Sequence, residues 1–155
     1  MTSSTNSPQQ PEPALGLGTL QALFISKLQF SVDSDPASDE PTLKADINVF
    51  VQRSSDPGER QISVRLKLVP AKGATAPYEM DIEAFAIING FAAEANAERL
   101  DKHAVAVAAP LAFNTIREQI LNLTARGPHS KVILPMINLK VLVNEFKLID
   151  PVVEG

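Results

Sequence analysis

Three consecutive runs of the chain alternate apolar and polar residues with a period of two, and only short links separate them. In residues 42–53, Leu43, Ala45, Ile47, Val49 and Val51 share one face, with Lys44, Asp46, Asn48 and Gln52 on the other. Residues 60–69 set Ile62, Val64, Leu66 and Leu68 against Ser63, Arg65 and Lys67. Residues 77–89 begin the same way, Tyr78, Met80 and Ile82 opposite Glu79, Asp81 and Glu83, and then turn apolar on both faces over 84–88. Successive side chains of a strand point to opposite sides, so the pattern predicts strands with one buried face. A preceding run, 22–32, is expected to place Phe24, Leu28, Phe30 and Val32 on one face. The links at 35–41, 54–58 and 71–74 carry the Asp, Pro and Gly of turns. A parallel crossover needs a dozen or more residues, so the expectation is an antiparallel four-stranded meander.

The pattern changes after Gly90. Residues 92–109 are rich in Ala, with Glu94, Glu98, Arg99 and Lys102, which suits a helix. Residues 111–126 space Phe113, Ile116, Ile120 and Leu123 as a second helix would, with Pro110 at its start and Gly127 and Pro128 as its stop. An apolar extended stretch follows over 129–138, and Asn138 is placed to cap a short final helix, 139–147. The fold class predicted is α+β: four strands, two main helices and a short third. Residues 1–18, mostly Ser, Thr, Pro, Gln and Gly, read as a disordered arm before a single domain over 19–149, with 150–155 a short tail.

Little in the composition supports chemistry. No cysteine is present, which removes disulfides, thiolate metal sites and cysteine nucleophiles. His103 and His129 have no His or carboxylate at ligand spacing. Asp33, Asp35 and Asp39 fail as a calcium loop, because Ser38 and Lys44 stand where Gly and Glu are needed. No nucleophile elbow, P-loop or dinucleotide fingerprint occurs, and Gly16 and Gly18 precede a strand, where no helix opens to hold a phosphate. Neither an enzyme nor a cofactor is expected. A net charge of −4, from 14 basic and 18 acidic residues, offers no basic stripe to nucleic acid. No run reaches the ~18 apolar residues of a membrane helix, and the first residues lack the charge and apolar core of a signal peptide. The default expectation is a cytoplasmic protein without membrane insertion. What remains is a surplus of apolar surface at 84–88, 105–111 and 132–137, more than one sheet and a few helices can cover, which points to an oligomer interface or a binding groove.

From about residue 22 to 146 the order of elements and several motifs resemble SecB, the bacterial protein-export chaperone. Ser-Lys-Leu-Gln-Phe at 26–30 is similar to the family's first strand, and Pro41-Thr42-Leu43-Lys44-Ala45-Asp46-Ile47 to its second. The stretch Tyr78 to Ile88 resembles the fourth strand. Ile116-Arg117-Glu118 with Thr124-Ala125-Arg126-Gly127 is similar to the family's Ala-Arg-Glu and Thr-x-Arg-Gly helix, and Ile133-Leu134-Pro135-Met136 with Leu142 to the segment after it. The resemblance implies an ATP-independent chaperone, a homotetramer built as a dimer of dimers. It would hold unfolded or precursor polypeptides in apolar grooves and pass them to the SecA motor ATPase. The implied groove falls on Leu43, Ala45, Ile47, Val49, Phe113, Ile133, Leu134, Met136 and Leu142. The implied motor contact falls on Glu79 and Asp81. Lys27 and Ser31 stand where the family carries acids, and its acidic C-terminal extension has little counterpart after Phe146. A chaperone or adaptor dedicated to a single partner, such as a toxin–antitoxin module, is the alternative within the class.

Overall fold

The computed structural model describes residues 18–32, 43–70, 78–92, 96–128, 132, 134 and 144–149. The expected turns at 35–41 and 71–74, the tail 150–155 and all of the arm but Gly18 lie outside them. Among the described residues, five strands and one helix follow in order: β1 (Thr19–Val32), β2 (Leu43–Arg53), β3 (Arg60–Pro70), β4 (Tyr78–Asn89), α1 (Ala97–Ala125) and β5 (Lys147–Ile149). The class is α+β, with a five-stranded sheet carrying α1 across one face.

The strand order is β1-β4-β3-β2-β5, which corrects the expected meander. Only β2, β3 and β4 pair in sequence; β1 lies beside β4, antiparallel, with Leu20 opposite Ile88 and Val32 opposite Tyr78. This is a Greek-key order. Val32 and Leu43 end and begin at the same end of the sheet, three strand spacings apart, or about 14 Å. A ten-residue link reaches up to about 33–36 Å, so link length never required the two strands to be neighbours. The fifth strand is a second correction: Lys147–Ile149 pairs in parallel with Phe50–Gln52 at the far edge. Lys147, expected inside a final helix, is therefore extended; residues 139–143 of that expectation lie outside the described part.

The alternation in β2 to β4 does what period two demands. Val49, Val51, Ile62, Val64, Leu66, Leu68, Tyr78, Met80, Ile82, Ala84, Ala86 and Ile88 are buried under the helix-side face. In β1 the phase breaks. A register shift between Ile25 and Lys27 leaves Ser26 as the extra residue of a bulge. Leu28, Phe30 and Val32 stay on the helix side, but Phe24 pairs with Phe85 on the opposite face, their rings 5.3 Å apart.

One helix of 29 residues replaces the two expected. It starts at Ala97 because the Asn96 side chain accepts the backbone N–H groups of Glu98 (2.9 Å) and Arg99 (3.3 Å). Pro110 lies inside it. A proline there forfeits one helical hydrogen bond. Both halves nonetheless bury one stripe, Leu100, Ala104, Val105, Ala108, Ala109, Ala112, Phe113, Ile116 and Ile120, in one core. That shared burial carries the helix through the proline. Phe91 plugs the end of the core where β4 turns toward the helix. It meets the ring of His103 edge-on at 5.5 Å and packs over Gly18. Gly18 has φ +64°, and a Cβ there would come within 2.7 Å of the Phe91 ring.

Candidate polypeptide-binding site

The helix-side face is wider than the helix. Along β2 the cover fades from Val51 and Val49, which are buried, to Ile47, half-buried, and Ala45, exposed. Along β1, Leu20, Leu28 and Val32 point the same way as buried partners in β4 yet keep 41–43% of their surface. Two strips of apolar sheet thus flank α1, one at each side. The helix adds a third apolar surface of its own. Leu111 and Leu121 are 40% and 38% exposed. Asn114, Arg117, Glu118 and Leu121 form, with Leu134, the wall of a concavity of about 350 Å³. Its far wall is fixed by Thr124, whose hydroxyl donates to the Ile120 carbonyl (2.8 Å) and accepts the Val132 N–H (2.8 Å). That bond holds the chain returning from the helix, so Leu134 packs into the core.

The expected groove residues therefore divide. Ala45, exposed, and Ile47, half-buried against the core, lie on the strip beside α1. Val49, Phe113 and Leu134 are 2%, 3% and 6% exposed, and in the single chain they build the core, with only Leu134 also reaching the concavity. Leu43 begins β2, opposite Pro70 in the pairing with β3. Ile133, Met136 and Leu142 lie outside the described residues. Asn114 and Leu121 were missed, and Leu111 entered only as the end of the apolar run 105–111; nothing in the sequence sets them apart before the buried side of the helix is known.

The opposite face of the sheet carries the expected motor contact. Glu79 is exposed. Asp81 is shared between two cations: Arg65 donates through Nε (3.0 Å) and Nη2 (2.7 Å), and Lys27 through Nζ (3.1 Å). The Arg65 hydrogen bonds, aided by Lys27, hold the Asp81 carboxyl well below the usual carboxylate range. A second ion cluster was not foreseen. On the helix, Asp101 accepts Nε of Arg60 at 2.6 Å and Nη2 of Arg53 at 2.6 Å. Asp101 and Arg60 side chains are each 3% exposed. Arg60 also donates to the Pro57 and Glu59 carbonyls, at 3.1 and 2.8 Å. This cluster fastens the β2–β3 hairpin to the first turns of α1 and is structural.

No family model and no curated protein matches the sequence. Among solved structures, the SecB-like chaperone Rv1957 of Mycobacterium tuberculosis, in complex with a ChAD peptide from the Rv1956 HigA1 antitoxin, is similar at a TM-score of 0.59 and 16% identity. The match covers 78% of this chain and 91% of that one. A protein of unknown function from Streptococcus agalactiae is similar at a TM-score of 0.44 and 14% identity, over 80% of this chain and 100% of that one. No helix among the described residues is long and apolar enough to cross a membrane. The Greek-key sheet under the long helix α1, matched over most of Rv1957, makes the fold of this chain SecB-like.

Proposed function

We propose that the chain is a cytoplasmic, ATP-independent chaperone that binds non-native polypeptide segments on the apolar surface around α1, by contact alone and without catalysis. The observation that carries this is the incompletely covered apolar ground on a SecB-like fold: Ala45 and the half-buried Ile47 on one flank, Leu20, Leu28 and Val32 on the other, and the concavity at Leu121 and Leu134. Burial of apolar area supplies affinity at about 25 cal/mol per Å², and such contacts tolerate many client sequences. Part of the same surface would close a homotetramer, with β1 as one contact. Light scattering that finds a monomer at micromolar concentration overturns that assembly.

Two kinds of client fit. A chaperone dedicated to one partner is favoured by Rv1957, whose structure holds a peptide from an antitoxin. Delivery of precursors to the SecA motor for export would fall on Glu79 and Asp81, and Asp81 is already engaged by Lys27 and Arg65. Dilution of two unrelated denatured clients into buffer with the protein separates these. Suppressed aggregation of both supports a general holdase; suppression of neither overturns it in favour of a single dedicated partner.

A further inference from the structure

The open face of the sheet, opposite α1, is ionic at one end and apolar at the other. Register places Phe24 beside Phe85, Phe85 beside Ser63, Ser63 beside Phe50 and Phe50 beside Lys147, one row across all five strands. The next row runs from Ala22 through Ile87 to Ile149 at the far edge. Phe24 is 47% and Ile149 40% exposed, and Phe85, Ile87 and Phe50 are half-buried. The Phe24 and Phe85 rings lie 5.3 Å apart, and the Lys147 ammonium stands 5.9 Å from the centroid of the Phe50 ring. Lys147 is the one charged residue in the two rows; charges resume one row further, at Lys27, Glu83 and Arg65. Among the described residues no element crosses this face. A large aromatic side chain buries about 150–250 Å² in full, so these five side chains leave on the order of 400 Å² to cover. A stable protein pair buries about 800 Å² on each partner. The patch is too small for a second copy and large enough for a short tethered segment.

We propose that the chain's own segment before Gly18 docks across this patch, with Leu15 over Phe85 and Ile87, Pro13 beside Phe50 and Glu12 at the Lys147 ammonium. Reach, charge and composition select it. The arm joins the sheet at Thr19, which pairs with Asn89 at the apolar end of the face. From Thr19 the Phe50–Lys147 pair lies four strand spacings across and four residues along, about 23 Å on the diagonal. Glu12 stands seven residues before Thr19. An extended proline-rich chain advances about 3.1 Å per residue, which brings Glu12 about 22 Å out. Glu12 is the one ionisable side chain in residues 1–17, as Lys147 is in the two rows. Pro8, Pro11 and Pro13 preset the chain for an aromatic surface, where such segments dock with little entropy left to lose. The tether supplies an effective concentration of about millimolar, so a dissociation constant of roughly 0.25 mM keeps the arm seated about four-fifths of the time. The surface around α1 stays open, while the second apolar face is closed to clients and to neighbouring copies.

Because the chain has no cysteine, Ser63→Cys places a single thiol between Phe85 and Phe50 on the open face. Gln61→Cys, opposite Ile87, is a second probe with the same expectation. The rate of thiol reaction with a maleimide is measured on the 155-residue chain and on the same chain lacking residues 2–15. The longer chain should react at least fivefold more slowly. Leu15→Asp and Glu12→Lys should each recover most of the rate of the shortened chain. Glu12→Lys combined with Lys147→Glu should return to the slow rate. Equal rates in the two chains overturn the proposal, as does protection that survives both Leu15→Asp and Glu12→Lys. Protection that rises with protein concentration assigns the patch to a second copy. Protection lost only when residues 150–155 are removed assigns it to the other end of the chain. Either of these results also overturns the proposal.

Discussion

Replacing Asp101 by alanine should be the most damaging single change outside the apolar core. Asp101 and Arg60 are each 3% exposed, with Nε of Arg60 at 2.6 Å from the carboxylate. Removing the carboxylate leaves the Arg60 guanidinium buried with, among the described residues, only the Pro57 and Glu59 carbonyls as partners. Breaking a buried pair from one side costs about 3–5 kcal/mol, because the charge left behind has lost both water and counter-ion. Arg53 sits at the rim, 36% exposed, and its arm of the cluster is worth about 1 kcal/mol at most. The expected order is therefore Asp101→Ala, then Arg60→Ala, with Arg53→Ala far behind. At about 2–4 °C per kcal/mol for a domain of this size, Asp101→Ala should lower the melting point by about 6–20 °C. A double variant, Asp101→Leu with Arg60→Met, should recover most of that loss, since matched apolar groups of similar volume need no counter-ion. Urea titrations followed by circular dichroism, all at one protein concentration, give the free energies. A loss below about 1 kcal/mol for Asp101→Ala would refute the reasoning, because it would mean that water reaches Arg60 in the folded protein.

Asp81 should set part of the acid limb of stability. Its carboxyl is held below the unfolded value of about 3.9, so its contribution is complete above that pH and is lost as pH falls through the depressed folded value. Asp81→Asn should flatten the loss of melting point between about pH 4 and 2, relative to the parent, and an unchanged slope would count against the Arg65 and Lys27 pairing. Ile47→Asp should weaken client binding at least tenfold while costing about 1–2 kcal/mol of stability, as for a polar group placed in a half-wet site; a collapse of the fold would instead make Ile47 part of the core. Pro110→Ala should stabilise the protein by about 1–3 kcal/mol by restoring the hydrogen bond to the Ala106 carbonyl, four residues back. A lower melting point after that change would show that the helix uses a bend at Pro110.

Strands β2 and β3 were legible because nothing interrupts them, so period two reads straight through to burial. The same phase contained the Asp101 cluster in outline: Arg53 falls in step with Val49 and Val51, and Arg60 with Ile62 and Val64. Two arginines on an apolar face require a buried anion, although no local pattern singled out Asp101. β1 was misread at Phe24 because one extra residue reverses which face follows. Ser26 marks that spot, its hydroxyl donating to Glu83 Oε1 at 2.8 Å, but a serine among alternating residues has no distinctive spelling. Pro110 read as a boundary because proline disfavours helix locally; the shared core of α1 outweighs that local cost. β5 left no trace, because three exposed residues carry neither period nor burial. The candidate site was half visible: Ala45 and Ile47 followed from β2, whereas Leu111 and Leu121 stand out only once the buried side of α1 is known.

The Greek-key order has a consequence for how the chain is made. β2 meets β3, and β3 meets β4, as each emerges, but β1 must wait for a partner that lies 68 residues further on, as Gln21 does for Asn89. At about 5–20 residues per second of synthesis, the first strand is exposed for roughly 3–14 s before its place beside β4 exists. Throughout that interval Leu20, Leu23, Phe24, Ile25, Leu28, Phe30 and Val32 form a nascent apolar segment of the very kind this protein is proposed to hold. A finished copy is thus chemically suited to shelter an unfinished one, and a young polysome is a place where the two would meet.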